Sequence, residues 1–371
     1  MQEVFATALP TASEEFPSLL GRLLGVLREL EAEILEMRIF SAAGTDRGSG
    51  EALRERFGRV DWPVTYVYGD RREGGEIAGV QVHAVSGVSV VPLRLGSSIV
   101  GRMFEDEYAR YCVLGDLHAD DRSRSREAQA RETFEALEKG LALAGMDLTC
   151  VVRTWFFIKD ILEWYSDFNA VRTETYAASG MFNRYVPAST GIGGGNPGDL
   201  AVVATALAMQ AKGDDIAVSE VASPLQCPAR DYGSSFSRAA EISSPEHRSV
   251  LVSGTASIDP NGSTMHIGDV QAQIARTLEV VDAILQSRGM GFADVTRGNA
   301  YFKHPGDFEL LNAHCSRYGL PTERIVVSHA DICRADLLFE IELDAAKSER
   351  SRGRGSESRH AKDAAPVESV R

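Results

Sequence analysis

Hydrophobic residues recur along most of the chain with the spacings of regular secondary structure. In segments 126–144 and 270–288 they return every three or four positions, which predicts two amphipathic helices. Leucines at the same spacing predict another helix over 14–37. Runs rich in Val, Ile, Phe and Tyr predict strands at 111–115, 151–159, 200–209, 250–254, 295–303 and 337–343. The pattern therefore predicts an α+β protein.

This pattern occurs twice. Residues 145–159 (GMDLTCVVRTWFFIK) align with residues 289–303 (GMGFADVTRGNAYFK) at an offset of 144, and five of the 15 aligned pairs are identical. The same offset aligns the two helices, and each copy continues into a second helix, at 163–179 and 308–318. We interpret the copies as two homologous domains. Two unrelated units with similar patterning are the alternative.

The repeat also suggests how the chain is divided. We expect a helical extension over 1–61, one domain over 62–215 and its homologue over 216–346. Residues 347–371 contain few large apolar side chains and cannot bury enough surface to offset the entropy of ordering. They are predicted to be a disordered tail.

Composition narrows the class of protein. Of 371 residues, 44% are hydrophobic and 25% charged, as in ordinary globular proteins, and the net charge of −14 disfavours nucleic-acid binding. The five cysteines are scattered without CxxC spacing, which excludes a disulfide framework and fits a reducing cytoplasm. No run of 18 apolar residues indicates a membrane span. Histidine spacing indicates no metal, and no glycine motif indicates a nucleotide cofactor.

Several short motifs of the second domain occur in the order known from one family. They are residues 233–239 (GSSFSRA), 252–254 (VSG), 259–262 (DPNG), 311–313 (LNA) and 339–342 (FEIE). This domain resembles the reactive-intermediate deaminase family (Rid, or YjgF/UK114). The resemblance implies a trimeric, chorismate-mutase-like α+β fold with ligand clefts between neighbouring domains. Two fused copies would place one such cleft within a single chain.

The resemblance also implies which residues act. Rid enzymes hold a substrate carboxylate with an Arg two residues after a Pro, and act through the Glu of the closing strand. Glu340 keeps that acid, whereas Arg324 follows Pro321 by three residues. The first domain has Ser189 at the Arg position and Val203 at the Glu position. This asymmetry predicts one working site.

A fused double-Rid chain resembles the chorismatase family over residues 62–346. The distinctive segments are 187–195 (PASTGIGGG) and 333–342 (CRADLLFEIE). The resemblance implies an enzyme, without cofactor, that removes the enolpyruvyl group of chorismate as pyruvate. We expect 3-hydroxybenzoate as the ring product. Hydrolysis to trans-3,4-dihydroxycyclohexa-1,5-diene carboxylate is the first alternative, and Rid-type hydrolysis of enamines or imines the second.

Cleaving an enol ether requires a proton donor that is neutral at the working pH. Glu340 lies within an apolar run, so burial is expected to raise its pKa and make it the catalytic acid. Glu342 points the same way because side chains alternate along a strand, and it is a rival for the role. Both could instead face solvent at a sheet edge.

A dicarboxylate substrate also requires cations. Tyr165, Asn169, Arg172 and Tyr176 fall on one face of the helix at 163–179, and the Rid resemblance turns Asn169 toward Glu340. All four are predicted to bind substrate, although an ordinary amphipathic face would give the same spacing. Arg238 and Arg324 are further candidates for the carboxylates.

Cys333 is expected to shape the pocket beside the substrate ring. As a nucleophile it would need a base, and His329 four residues earlier forms no recognisable triad with it. A Cys at this spacing resembles the 3-hydroxybenzoate branch of chorismatases, while Ala256 could favour hydrolysis. A ligand-sensing or scaffolding module without activity is the remaining alternative. We expect a small dicarboxylate as partner and no nucleic acid or membrane, and the sequence is compatible with an oligomer.

Overall fold

The structure is a computed structural model that describes residues 1–12, 14–69 and 76–349 and the backbone of residues 369–370. Its strands are β1 (Gln2–Ala8), β2 (Glu33–Ala42), β3 (Val64–Gly69), β4 (Ile77–Ser86), β5 (Val90–Leu95), β6 (Ser98–Glu105), β7 (Ala109–Leu117), β8 (Val151–Ile158), β9 (Ala188–Gly193), β10 (Val202–Ala211), β11 (Ala217–Val221), β12 (Ala239–Ser243), β13 (His247–Ala256), β14 (Val295–Phe302), β15 (Ile325–His329), β16 (Phe339–Ser348) and β17 (Ser369–Val370). Its helices are α1 (Phe16–Glu29), α2 (Asp46–Phe57), α3 (Arg126–Leu143), α4 (Ile161–Ala178), α5 (Val270–Gln286) and α6 (Leu310–Tyr318).

The two predicted repeats have the same topology. The first forms a sheet of order β5-β6-β7-β10-β8-β9, and the second a sheet of order β11-β12-β13-β16-β14-β15. In each, the strand after the second helix pairs in parallel with the strand before that helix, and the last strand lies antiparallel between this strand and the strand that precedes the first helix. The α+β fold and the duplication predicted from the sequence are therefore confirmed.

The N-terminal part of the chain repeats this topology a third time. β1, α1, β2, α2, β3 and β4 occur in the same order, and their sheet runs β1-β4-β2-β3 with β2 and β3 parallel, extended by β17 alongside β1. Sequence analysis predicted only a helical extension ending at residue 61, a position that lies between α2 and β3, within this third unit. We call the three units the N-terminal repeat (2–86), the first repeat (90–211) and the second repeat (217–348).

The predicted helix over 14–37 is shorter in the structure. α1 ends at Glu29, and Glu31 has a left-handed backbone (φ 50°) that redirects the chain into β2. Residues 34–42 are then buried on both faces, as in an internal strand, so the apolar pattern continued while the secondary structure changed. Of the predicted disordered tail, residues 350–368 and 371 lie outside the described residues.

The three repeats close into a ring. β2 and β3 pack against β6 and β7, β9 packs against β12 and β13, and β14 and β15 pack against β1 and β4. Each repeat has an apolar core between its sheet and its helices. A fourth core lies at the centre and contains residues of all three sheets, among them Phe40, Trp155 and Tyr301. Neighbouring repeats therefore meet along seams where two sheets contribute side chains. Among the described residues, none of the helices combines the length and hydropathy needed to cross a bilayer.

The contact between the N-terminal and second repeats can be tested at Gly79. A Cβ there would lie 2.8 Å from Val326 Cγ2, so we expect Gly79→Ala to lower the free energy of unfolding by about 1–3 kcal/mol through overpacking. Gly25→Ala is the control: no atom lies within 4 Å of its Cβ, and replacing an exposed helical glycine should stabilise by about 0.5–1 kcal/mol. Urea unfolding measures both. Equal effects would contradict this packing.

Candidate active site

A cavity of about 890 Å³ opens at the seam between the first and second repeats. α4 and β9 form one wall, and β13, β16 and the segment before β12 form the other. Hydrogen bonds across the seam hold the walls in register: Ser189 N–H donates to Ser253 Oγ (2.9 Å) and Gly254 N–H donates to Thr190 Oγ1 (3.0 Å). The cavity is therefore built from two rigid sheet edges.

Glu340 lies on the inner wall of this cavity. It is 5% exposed, and no hydrogen bond to its carboxyl is found among the described residues. A Cβ on Gly254 would lie 2.1 Å from Glu340 Oε1, so the carboxyl rests against bare backbone that only glycine leaves open. Burial, reinforced by the charge of Glu342, raises the pKa of Glu340 to about 8. The residue predicted as the acid is thus neutral at pH 7.

Glu342 lies on the same face of β16 but does not line the cavity. Its Oε2 accepts hydrogen bonds from Arg153 Nη2 (2.6 Å) and, at very short range, from the Thr190 hydroxyl. Its Oε1 accepts from Asn299 Nδ2 (2.7 Å) and the Tyr301 hydroxyl (3.1 Å). Both oxygens of Glu342 are occupied by donors and neither reaches the cavity, so Glu342 is not placed to donate a proton to a ligand there.

α4 contributes Tyr165 and Asn169 to the cavity, as predicted. Tyr165 lies against Gly191, where a Cβ would come within 3.1 Å of its hydroxyl. Arg172 lies one layer behind: its guanidinium donates to Asn169 Oδ1 and, at 3.4 Å, to Ser189 Oγ, both of which face the cavity. It is fully buried. Arg172 therefore positions two lining residues and adds positive charge to that wall.

Arginine and aromatic side chains alternate along the cavity. Phe236 lies between Arg172 and Arg238, and Tyr232 lies between Arg238 and Arg334, with guanidinium-to-ring distances of 5.2–5.7 Å. Such stacking holds the guanidinium planes in place. Sequence analysis found Arg238 and Arg172 but missed Arg334, Tyr232 and Phe236. The CRAD segment contained Arg334, directly after a predicted site residue, but no pattern distinguished it.

These three arginines have no carboxylate partner among the described residues. Arg238 donates to the carbonyl of Cys227 (3.0 and 2.8 Å), and Arg334 donates to the carbonyl of Gly262 (2.7 Å). The acidic residues at the mouth, Glu163 and Glu174, form ion pairs with arginines on α3 instead. The cavity therefore combines an excess of positive charge with one uncharged acid, which suits an anionic ligand.

Cys333 also lines the cavity, as predicted, and touches both the first-repeat core and the central core. Burial raises the pKa of its thiol to about 12, so the sulfur is protonated at neutral pH. This supports a role in shaping the pocket over a role as nucleophile. Ala256 and Ile258 complete the apolar lining. In the described part of the chain, no three His, Cys, Asp or Glu side chains are grouped to hold a metal ion.

Comparisons with known proteins agree with this geometry. Residues 234–347 match the family model described as Endoribonuclease L-PSP. The 3-aminoacrylate deaminase RutC of Acinetobacter baylyi is 33% identical over 94 residues, which cover 25% of this chain and 74% of that protein. RutC family proteins of two archaea are 31% identical, and the chain covers 78–79% of each. The chain belongs to the Rid (RutC) family.

Longer relatives match more of the chain. A chorismatase of Streptomyces rapamycinicus is 32% identical over 215 residues, 52% of this chain and 63% of that protein. A 3-hydroxybenzoate synthase of Streptomyces hygroscopicus is 29% identical over 236 residues, 56% of this chain and 65% of that protein. The chain thus spans less than two thirds of either relative. A chorismatase crystal structure superposes with a TM-score of 0.66 at 20% identity and covers 93% of this chain and 99% of its own, which shows a shared fold.

The Rid positions separate around the ring. β9 of the first repeat faces the second repeat, so Ser189, at the Rid arginine position, lies in the same cavity as Glu340. β15 of the second repeat faces the N-terminal repeat instead. Arg324, just before β15, therefore lies away from the cavity and donates to the carbonyl of Val295 (2.6 Å). Arg324, predicted to bind substrate, is thus not brought into the cavity that contains Glu340, because the strand that follows it borders a different seam.

Tyr176 is also not at the site. It is fully buried in the first-repeat core, where its ring packs against Phe134 and Phe182. The spacing placed it correctly on the inner face of α4, but this part of the helix covers the core and not the cavity. Of the four residues predicted on this face of α4, Tyr165 and Asn169 line the cavity and Arg172 lies behind them.

The contact between Gly254 and Glu340 gives a prediction that requires no substrate. Gly254→Ala should displace the Glu340 carboxyl and lower the free energy of unfolding by about 1–3 kcal/mol. In a Glu340→Ala background the same change should cost less, because the colliding oxygen is absent. A double-mutant cycle in urea measures the coupling. Strictly additive costs would show that the two side chains do not meet.

Proposed function

We propose that the chain is a chorismatase that releases pyruvate and 3-hydroxybenzoate from chorismate. The observation that carries the proposal is the neutral, buried Glu340 in a cavity whose arginines have no carboxylate partner among the described residues. The names of the two Streptomyces relatives support the same reaction. A Rid-family origin supports Glu340 as the acid.

In the proposed reaction, Glu340 donates its proton to the terminal methylene carbon of the enolpyruvyl ether. The carbon that carries the ether oxygen becomes an oxocarbenium ion, and the Glu340 carboxylate left behind offsets part of this charge. Forming 3-hydroxybenzoate and pyruvate uses only the atoms of chorismate. Forming the dihydrodiol and pyruvate consumes one water. The two outcomes therefore differ in whether the ring hydroxyl or a water oxygen captures the cation.

Chorismate carries two carboxylates, and the cavity offers a cationic wall for them. Arg238 and Arg334 line the cavity, and Arg172 adds charge behind Ser189. Guanidinium groups form bidentate hydrogen bonds with carboxylates, for which their planar shape is suited. We assign Arg238 and Arg334 to direct contact with the substrate carboxylates.

The choice of 3-hydroxybenzoate depends on keeping water from the cation. Cys333 and Ile258 present sulfur and carbon in the cavity that contains Glu340, where a hydroxyl would hold a water. Hydrolysis to the dihydrodiol is the alternative outcome. Rid-type deamination has weaker support, because the cavity has Ser189 where Rid enzymes have an arginine.

We also propose that the protein is cytoplasmic. All five cysteines are free, as is usual for proteins of a reducing compartment.

The reaction is tested by incubating the protein with chorismate and coupling pyruvate to lactate dehydrogenase. Chromatography identifies the ring product: 3-hydroxybenzoate supports the proposal, and the dihydrodiol replaces it by hydrolysis. No pyruvate above background would refute chorismatase activity, and ammonia from an enamine substrate would then favour deamination.

Glu340→Gln should lower kcat by at least about 10²-fold, the usual effect of losing one acid–base group. The acid must be protonated, so wild-type kcat should be constant at lower pH and fall as pH rises through about 8. The variant keeps a neutral side chain of similar size, and its thermal unfolding serves as the control for folding. Unchanged turnover would mean that another group donates the proton.

Two arginines provide a matched pair. Arg238→Gln should lower kcat/KM about 10- to 100-fold, the value of a charge-assisted hydrogen bond to a carboxylate. Arg324→Gln, at the other seam, should leave kcat/KM near wild type. Steady-state pyruvate assays compare them. A larger loss of kcat/KM in Arg324→Gln than in Arg238→Gln would indicate that the arginine after Pro321 binds the carboxylate, as in Rid enzymes. It would contradict the assignment of Arg238.

A further inference from the structure

We propose that Glu342 is a positioning residue that keeps Glu340 protonated, and that Arg153 of the first repeat fixes its charge across the seam. The inference rests on the proposed function for its relevance to turnover, since only an enzyme that donates a proton needs a neutral Glu340. It concerns two residues that do not touch the cavity.

The contacts of Glu342 are those of a carboxylate that only accepts hydrogen bonds. Arg153, Thr190, Asn299 and Tyr301 all donate to its two oxygens, and the carboxylate is 2% exposed. Thr190 is itself constrained: its oxygen accepts from Gly254 N–H and Arg153 Nη2, so its proton is directed to Glu342. Two of the four donors come from the first repeat, which means that the charge depends on the seam being closed.

Glu342 lies at the right distance to act on Glu340. Two residues along a strand place the side chains on one face about 7 Å apart. At an effective dielectric constant of about 20, two unit charges at that distance shift each other's titration by about 1–2 pH units. Two negative charges at this distance repel each other. The charge of Glu342 therefore favours the protonated form of Glu340.

The other charged groups nearby act in known directions. Arg153 on β8 and Arg238 beside the cavity favour the carboxylate of Glu340 and so oppose Glu342. Tyr301 on β14 faces Glu342 as a neutral donor, and burial together with Glu342 raises its pKa. Arg297 and Asp344 pair with each other further along the same strands (2.7 Å). Burial and the charge of Glu342 raise the pKa of Glu340 by more than the two arginines lower it. The net result is a pKa of about 8.

The test compares four variants. Glu342→Gln removes the charge and should move the alkaline limb of the kcat profile down by about 1–2 pH units. Glu342→Asp keeps the charge and should leave the limb within a few tenths of a unit of wild type, whatever its stability. Asp344→Asn removes a buried carboxylate of the same strand at twice the distance, while Arg297 keeps Glu36 as partner (3.5 Å), so its limb should also stay. A merely structural role for Glu342 would move stability but not the limb.

The fourth variant covers a folding failure. Arg153→Gln/Glu342→Gln replaces the buried ion pair by an amide pair and leaves no unpaired charge. Its limb should still lie below wild type, because Glu342 influences Glu340 more than Arg153 does. A limb at or above wild type would overturn the proposal. So would an unchanged limb in Glu342→Gln, or a shift in Asp344→Asn as large as in Glu342→Gln.

A second measurement separates this inference from the proposed function. With ¹³C-labelled glutamate, the Glu340 carboxyl signal is identified by its loss in Glu340→Gln, and its titration is followed by NMR without substrate. We expect a midpoint near 8 in the wild type and a lower one in Glu342→Gln. If no variant releases pyruvate but the midpoints shift as stated, chorismatase activity fails and the electrostatic role of Glu342 stands. Equal midpoints would overturn the role itself.

Discussion

The ion pair between Arg153 and Glu342 is the interaction on which the site depends. It joins two repeats at a fully buried position, and the same carboxylate receives donors from both sides of the seam. Buried ion pairs contribute little net stability compared with apolar packing, but breaking one leaves a charge without compensation. Here the pair also determines where charge sits near the cavity. The contact thus contributes both to packing between the repeats and, together with burial, to the raised pKa of Glu340.

This pair belongs to a larger buried cluster at the centre of the ring. Each repeat contributes one arginine, Arg38, Arg153 and Arg297, and all three guanidinium groups lie within 5.3 Å of the ring centroid of Trp155. Carboxylates from two repeats balance them. Such a cluster tolerates no shift between repeats, because any shift would leave a buried donor or acceptor unpaired. The repeats are therefore held in one arrangement by polar contacts as well as by apolar ones.

The two later repeats and the proposed acid could be predicted from the sequence. Strand β8 is a nearly continuous apolar run, β14 is recognisable by its alignment with β8, and Glu340 lies within another apolar segment. The N-terminal repeat was not predicted because its β2 carries Glu36 and Arg38, which are buried by pairing with each other and with partners in other repeats. Arg324 and Arg334 show the same limit. The sequence suggested Arg324 and not Arg334 as a substrate ligand, because the seam that a strand borders is determined only when the repeats assemble into the ring.

The fusion of three repeats has a consequence for how this site could diverge. In a homotrimer every cleft is identical, and a substitution on one wall recurs in all three. In this chain the wall that carries Ser189 and the wall that carries Glu340 are encoded separately, and the other copies of those positions lie at other seams. The first repeat could therefore replace the acid by Val203 without affecting the cavity that contains Glu340. The second repeat could likewise shift its arginine to the third residue after Pro321. Covalent linkage thus allows the seam between the first and second repeats to change in sequence independently of the other two.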